Sequence, residues 1–142
     1  MYGVSVVYGN SMRPAFLAGD IVIYQRGHLD HLDYGDVVIV QSWLDRKTDY
    51  VKRINALPGD VVSVDEKGYL SRDGEEIKEP EIMHGYQQTD SPIQYPYRLE
   101  EGEYFCMGDN RQVSLDSRTF GPVKQSQIRG KAVALIRLGI GR

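Results

Sequence analysis

Cysteine is almost missing from this sequence: Cys106 stands alone among 142 residues. No internal disulfide can form, so cysteine pairing says nothing about redox compartment. Cys106 lies in the apolar run Tyr104-Phe105-Cys106-Met107, which reads as a small buried hydrophobe rather than a reactive thiol. Long apolar runs are absent too. The stretches at 37–40 and 132–136 fall far short of the ~20 residues needed to cross a bilayer. No charged start leads into a secretory apolar segment. Neither sign of charge dominates. A net charge of −3 does not suggest a basic face that displaces counterions from DNA, so no nucleic-acid partner is expected. Helical periodicity is scarce, and no internal repeat or low-complexity tract stands out.

What remains is a composition 41% hydrophobic and 26% charged, ordinary for a globular chain and unlike a collagen or a wholly disordered protein. The length fits one domain, or one core with an elaboration. Short β-branched runs alternate with Gly, Asp and Pro. Segments 4–8, 20–25, 36–42, 50–56, 61–65, 103–107 and 130–138 are predicted strands. Gly19-Asp20, Gly35-Asp36 and Gly59-Asp60 mark the starts of three of them. Lys67-Gly68 is a turn candidate, and Asp73-Gly74 suits a two-residue type I′ hairpin turn. The one predicted helical turn is 12–17, with Pro14 near its start. Residues 78–102, with Pro80, Pro92 and Pro96, read as an irregular, mobile excursion. The fold class is mainly β.

Three segments carry residues suited to chemistry. The first is Gly9-Asn10-Ser11-Met12-Arg13-Pro14. A serine hydroxyl is a poor nucleophile until a base removes its proton. Ser11, between a predicted strand and a turn, is placed to be exposed and fixed. Gly9 lets a peptide backbone approach and leaves N–H groups free to face an oxyanion. The structural alternative is a serine capping the turn. The second segment is Tyr50-Val51-Lys52-Arg53. If the Lys52 face is buried, desolvation favours the neutral amine a general base must be. The alternative is a lysine on the wet face of a strand. The third runs from Gly108-Asp109-Asn110-Arg111 to Ser114, Asp116, Ser117 and Arg118. It reads either as a polar loop with an Asp116–Arg118 ion pair, or as the support of a site in which the Ser114 hydroxyl orients a neutral lysine.

In order and wording these segments resemble the type I signal peptidases: Ser-Met-x-Pro at Ser11, Lys-Arg-x-x-x-x-Pro-Gly-Asp at Lys52, and Gly-Asp-Asn-Arg-x-x-Ser-x-Asp-Ser-Arg at Gly108. Gly35-Asp36-Val37-Val38-Ile39-Val40 fills the family's remaining motif, and the likeness runs from about Val4 to Leu138. The resemblance implies a signal-peptidase-like antiparallel β core at 1–65 and 103–142, with a small β-ribbon and irregular extension at 66–102. It implies a serine endopeptidase with Ser11 as nucleophile and Lys52 as neutral general base. Ser114 matches the serine that bonds the lysine amine, Asp116 and Arg118 the pair behind it, and Arg53 a further motif position. The Ser11 N–H matches the oxyanion donor. Gly9 stands where some members place a second donor serine, a variant seen in many Gram-positive members. The substrate implied is an exported preprotein, cut after an Ala-x-Ala type motif. The cleft positions are Val7, Met12, Phe16, Ile39, Asp49, Tyr50 and Val51, with Asp49 and Tyr50 on the strand that pairs with extended substrate. No metal or other cofactor is implied. Family members carry a transmembrane helix ahead of the serine motif. The resemblance therefore implies membrane anchoring through a helix outside these residues, with the catalytic domain on the extracytoplasmic side and the lipid surface as a partner.

Two rival readings share some of these features. The self-cleaving domain of LexA-type repressors has a β-rich core and a Ser–Lys dyad, but the segment 108–118 speaks against it. A non-catalytic relative that binds peptides in an export complex is the other; intact Ser11, Lys52 and Ser114 speak against that. The run His28-Leu29-Asp30-His31-Leu32-Asp33 lacks a strong zinc spacing and reads better as a charged connection between strands. Trp43 and the ten tyrosines suit either a lipid interface or core and cleft packing.

Overall fold

The computed structural model describes residues 1–42, 49–79 and 91–138. In chain order the strands are β1 (Tyr2–Val6), β2 (Ile21–Gln25), β3 (Val37–Gln41), β4 (Asp49–Ala56), β5 (Val61–Val64) and β6 (Leu70–Arg72). There follow β7 (Glu75–Glu76), β8 (Tyr97–Arg98), β9 (Glu103–Met107), β10 (Val123–Lys124) and β11 (Ile128–Ile136), with a single helical turn α1 (Ser117–Phe120) between β9 and β10. Alternation explains β2, where Val22 and Tyr24 are buried and their neighbours are not. It does not apply to β9, where Tyr104 to Met107 are all buried, because both faces of that strand are covered.

The strands form a seven-stranded antiparallel sheet in the order β1-β2-β11-β3-β4-β9-β10 and a four-stranded one in the order β7-β6-β5-β8. The mainly β class and antiparallel core expected from the sequence are present. Val61–Val64, read with the larger core, sits in the smaller sheet, paired with β6 and β8. β11 lies between β2 and β3 and pairs with both. Asp73 and Gly74 turn β6 into β7 with φ of 51 and 85 degrees, the signs a type I′ turn needs.

Three apolar clusters hold these layers together. One gathers Val38, Val40, Ile54, Cys106 and Ile128, with Tyr50 and Phe120 packed against it. A second gathers Val7, Met12, Val22, Tyr24, Ile39 and Val51, with Phe16 against it. The third, with Ala56, Val62, Leu70, Leu99, Phe105 and Met107, binds the small sheet to the large one. Each Val, Leu, Ile, Phe or Met side chain among them contributes roughly 1.5–3 kcal/mol when fully buried. Cys106 is fully buried, and burial pushes its thiol pKa up, as suits an inert core residue.

Several local expectations differ from the structure. The first strand runs over Tyr2–Val6 rather than 4–8; Val7 leaves the ladder and turns its side chain into the core. The last strand begins at Ile128 rather than 130. The helical turn expected at 12–17 is limited to one bond, and no regular helix follows: residues 11–15 are turn. Only the Phe16 N–H reaches back to the Met12 carbonyl, and Pro14 has no N–H to extend the pattern. Residues 28–33, by contrast, form the expected connection between strands, with a 3-10 turn at Leu29–His31. Within the supposed excursion, Ile93, Tyr95 and Tyr97 pack on the third cluster, and Tyr97–Arg98 forms β8. Residues 80–90 and Trp43 lie outside the described residues.

Candidate active site

Ser11 rides on the loop between β1 and β2. The base of that loop is closed by the Val7 N–H donating to the Asp20 carbonyl at 2.9 Å and the Gly19 N–H donating to the Val7 carbonyl at 2.8 Å. Beneath it, Asp20 is buried and held bidentately by Arg137 at 2.7 and 3.0 Å. Gly9 enters the loop with φ of 73 degrees and open space where a Cβ would stand, a conformation that favours glycine. Asn110 grips the far side. Its N–H donates to the Ser11 carbonyl at 2.8 Å, and its side-chain amide donates to the Asn10 carbonyl at 3.1 Å.

Lys52 sits on β4 with only 3% of its surface exposed. Its Nζ lies 2.9 Å from Ser11 Oγ and 3.2 Å from Ser114 Oγ. Burial lowers its pKa from 10.5 to about 8; Asp116 opposes the shift and Arg118 assists it. Two segments 41 residues apart thus meet at a desolvated amine, which chooses between the open readings of Lys52: it is not on a wet face.

Behind the amine stands a buried hydrogen-bond network. The Ser114 hydroxyl donates to Asp116 Oδ2 at 2.6 Å. The Gly108 N–H lies 3.0 Å from both Ser114 Oγ and Asp116 Oδ2. Arg118 clamps the same carboxylate, Nε to Oδ1 and Nη2 to Oδ2, both at 2.9 Å. Burial alone would raise the Asp116 pKa, but the Arg118 guanidinium and the Ser114 and Gly108 donors hold it below the ordinary carboxylate value. An ionised carboxylate only accepts, so the Ser114 proton is committed to Asp116. Ser114 Oγ therefore faces Lys52 as an acceptor. A neutral amine that donates one N–H to Ser114 keeps its lone pair for the Ser11 hydroxyl.

Gly108 is required for this packing. A Cβ there would collide with the Ser114 side chain and come within 2.6 Å of the Ser11 carbonyl oxygen. Arg53, next to Lys52, donates to Asp109 through Nε at 2.9 Å and Nη2 at 2.8 Å, tying the loop after β9 to β4.

The expected cleft residues divide. Val7, Met12, Ile39 and Val51 share one buried cluster with Phe16 at its margin. Tyr50 is not among them; it packs on the other cluster, stacked on Phe120. Asp49 pairs with Arg129 at 2.6 Å. β9 pairs with β4 only over Arg53 to Ala56, so the stretch 49–52 keeps an edge that β9 does not cover.

Some participants carried no assigned role in the sequence. Gly108, Asp109 and Asn110 lay inside a recognisable motif. Glu79 gave no signal: it accepts from the buried Arg111 at 3.1 Å and from Asn55 at 3.0 Å, while Arg111 Nε donates to the Gly108 carbonyl at 2.8 Å.

A buried amine between two hydroxyls, on a two-sheet antiparallel β fold, is the arrangement of a serine–lysine hydrolase. Comparison with known proteins narrows the class. Residues 1–136 match the family model described as signal peptidase, peptidase S26. Signal peptidase I of Bacillus caldolyticus is 35% identical over 137 residues, covering 89% of this chain and 74% of that protein. Signal peptidase IB of Staphylococcus aureus is 33% identical over 144 residues, covering 88% and 72%. The crystal structure of a signal peptidase I from Enterococcus faecalis superposes with a TM-score of 0.57 at 25% identity, covering 72% of this chain and 97% of that one. The chain belongs to the signal peptidase family, peptidase S26. It is thus a serine endopeptidase that cleaves signal peptides from preproteins, with similar proteins in Gram-positive bacteria.

Proposed function

We propose that Ser11 attacks the scissile bond of a preprotein while neutral Lys52 takes its proton. The observation that carries this reading is the 2.9 Å separation of Lys52 Nζ and Ser11 Oγ in a desolvated setting. As the Oγ–carbon bond forms, the proton passes to Nζ; the ammonium then gives it to the departing amine. Water, activated by the same lysine, releases the acyl group. Ser114, Asp116 and Arg118 orient the amine, and Arg53 fixes the loop through Asp109. Among the described residues no backbone carbonyl accepts from the Ser11 N–H, which leaves it for the oxyanion. Loss of such a donor typically costs about 3 kcal/mol of transition-state stabilisation. Gly9 lets the substrate backbone approach.

The substrate enters as an extended strand along the open edge at 49–52, Asp49 and Tyr50 included. Val7, Met12, Phe16, Ile39 and Val51 form the apolar floor beside Ser11. So closely packed a floor admits only short side chains, which supports selection of Ala-x-Ala type sites by steric exclusion.

The site works at a lipid surface. On the outer face of β1, β2 and β11, the cross-strand rows Val6–Ile21–Ile136 and Val4–Ile23–Ala134 are apolar, with Val4 65% and Ile136 44% exposed. Such a patch suits a membrane interface. Val4→Glu with Ile136→Glu should weaken co-sedimentation with phospholipid vesicles; unchanged binding would remove this face from the proposal.

Ser11→Ala and Lys52→Ala test the chemistry. Each should lower kcat on a signal-peptide substrate by on the order of 10⁴-fold or more, with the fold retained by circular dichroism. The wild-type rate should rise about tenfold per pH unit below pH 8 and level off above it, because only the uncharged amine can act as base. Wild-type turnover in both variants would reject the assignment.

A further inference from the structure

Tyr50 stands apart from the apolar cluster beneath Ser11, and its position suggests a different task. It precedes Lys52 by two residues on β4, so both side chains leave the same face of the strand. Lys52 Nζ lies over the Tyr50 ring, 5.7 Å from its centroid. The ring is itself stacked on Phe120, with planes 8 degrees and centroids 6.5 Å apart. Ser42 Oγ approaches the Tyr50 hydroxyl at 3.5 Å. Phe120 belongs to α1, the turn that Asp116 caps. One short stretch, 114–120, therefore holds the Lys52 surroundings from two directions: hydroxyl and carboxylate on one side, aromatic ring on the other.

An aromatic face is electron-rich and attracts a cation within about 6 Å; a neutral amine gains nothing comparable. Lys52 changes from the second species to the first during the reaction. A partner that favours only the charged form acts where it accelerates the step rather than merely tightening the ground state. We propose, on the reading of Lys52 as general base, that the Tyr50 ring stabilises the ammonium that Lys52 becomes on taking the Ser11 proton. Phe120 is the positioning residue that keeps the ring in place.

The other groups facing Nζ are the Ser11 and Ser114 hydroxyls, Cys106 of β9, Asp109 after it, and Asp116 with Arg118. Asp109 is paired with Arg53 and Asp116 with Arg118. The carboxylates favour the ammonium and Arg118 disfavours it. The ring therefore adds to a field whose full charges are already paired. It also takes part in burial, which works the other way.

These two actions of one ring make opposite forecasts. If Tyr50 only excludes water, Tyr50→Leu hydrates the amine and moves its titration upward. If the ring attracts the cation, the same change moves it downward, by about one pH unit. Two readouts decide: the pH dependence of kcat/KM, and the nitrogen NMR titration of Lys52 in substrate-free Ser11→Ala protein. The proposal expects a downward shift in both for Tyr50→Leu. It expects almost none for Tyr50→Phe, and a smaller downward shift for Phe120→Leu. Should Tyr50→Leu not fold, trifluorophenylalanine at position 50 keeps the shape but drains the ring face, and should titrate below Tyr50→Phe. An upward or absent shift overturns the proposal, as does a Tyr50→Leu effect confined to KM at every pH. A wild-type rate with no titration of Lys52 is a different failure, that of the base assignment itself.

Discussion

The two hydroxyl-bearing segments that meet at Lys52 are built in opposite ways. Ser11 is half-buried on a loop whose neighbours Gly9, Asn10 and Arg13 face solvent. Ser114 is buried, as are Asp116, Ser117 and Arg118 beyond it. Its loop is fixed by donors and acceptors at nearly every polar group, and Arg118 even reaches back to the Arg111 carbonyl at 3.0 Å. If Ser11 is the nucleophile and Ser114 orients the base, as proposed, the contrast follows from the work. A nucleophile must admit a peptide from outside, so its loop is anchored at its base and at the carbonyls flanking Ser11. A residue that orients a buried base must keep water out and hold one rotamer, so it sits in a buried polar network.

That contrast can be broken most forcefully at the rigid end. Asp116→Ala leaves Arg118 buried without its carboxylate; removing one partner of such a pair costs about 3–5 kcal/mol, and denaturant unfolding should show it alongside lost turnover. A shift below 1 kcal/mol would mean the pair is not structurally important. The next effect has the other sign. Lys52 keeps its proton to pH 10.5 in the unfolded chain but only to about 8 when folded. The unfolded state therefore binds more protons between those values, and wild-type stability rises with pH across that window. Lys52→Met removes the penalty of a buried ammonium. It should unfold with about 3 kcal/mol more stability at pH 7, an advantage that shrinks steadily from pH 8 to 10.5. A destabilised Lys52→Met would show that the amine is better solvated than its burial implies. Smallest of all, Ser11→Ala should alter stability by less than about 0.5 kcal/mol while abolishing activity. A large destabilisation there would erase the distinction between the two segments.

Much of this was readable from residue order. The strand 103–107 coincides with β9, and the Asp73-Gly74 turn lies where its residue types require. Ser11, Lys52, Ser114, Asp116 and Arg118 are brought together as their shared motifs imply. Burial of Lys52 was not readable, because β4 has apolar residues on both sides of it, and alternation separates faces only when one is wet. The two-residue strands β7, β8 and β10 are too short to show periodicity. The 12–17 segment goes no further than a single turn bond, from the Phe16 N–H to the Met12 carbonyl. Glu79 was invisible because its partner Arg111 is 32 residues away, and nothing local marks a carboxylate destined for a buried guanidinium. Tyr50 is a cleft position by resemblance to the family; that its ring packs against Phe120 rather than with Val51 follows from the pleat, which sets adjacent residues on opposite faces.

The place of β11 in the large sheet bears on when the molecule becomes able to cut. Ser11 belongs to the β1–β2 hairpin and Lys52 to the β3–β4 hairpin, and these two units share no ladder with each other. Residues 128–136 are the wedge that joins them. During synthesis both hairpins leave the ribosome well before that wedge does. The ladder that ties the hydroxyl-bearing hairpin to the amine-bearing one is therefore complete only once residues 128–136 have been made.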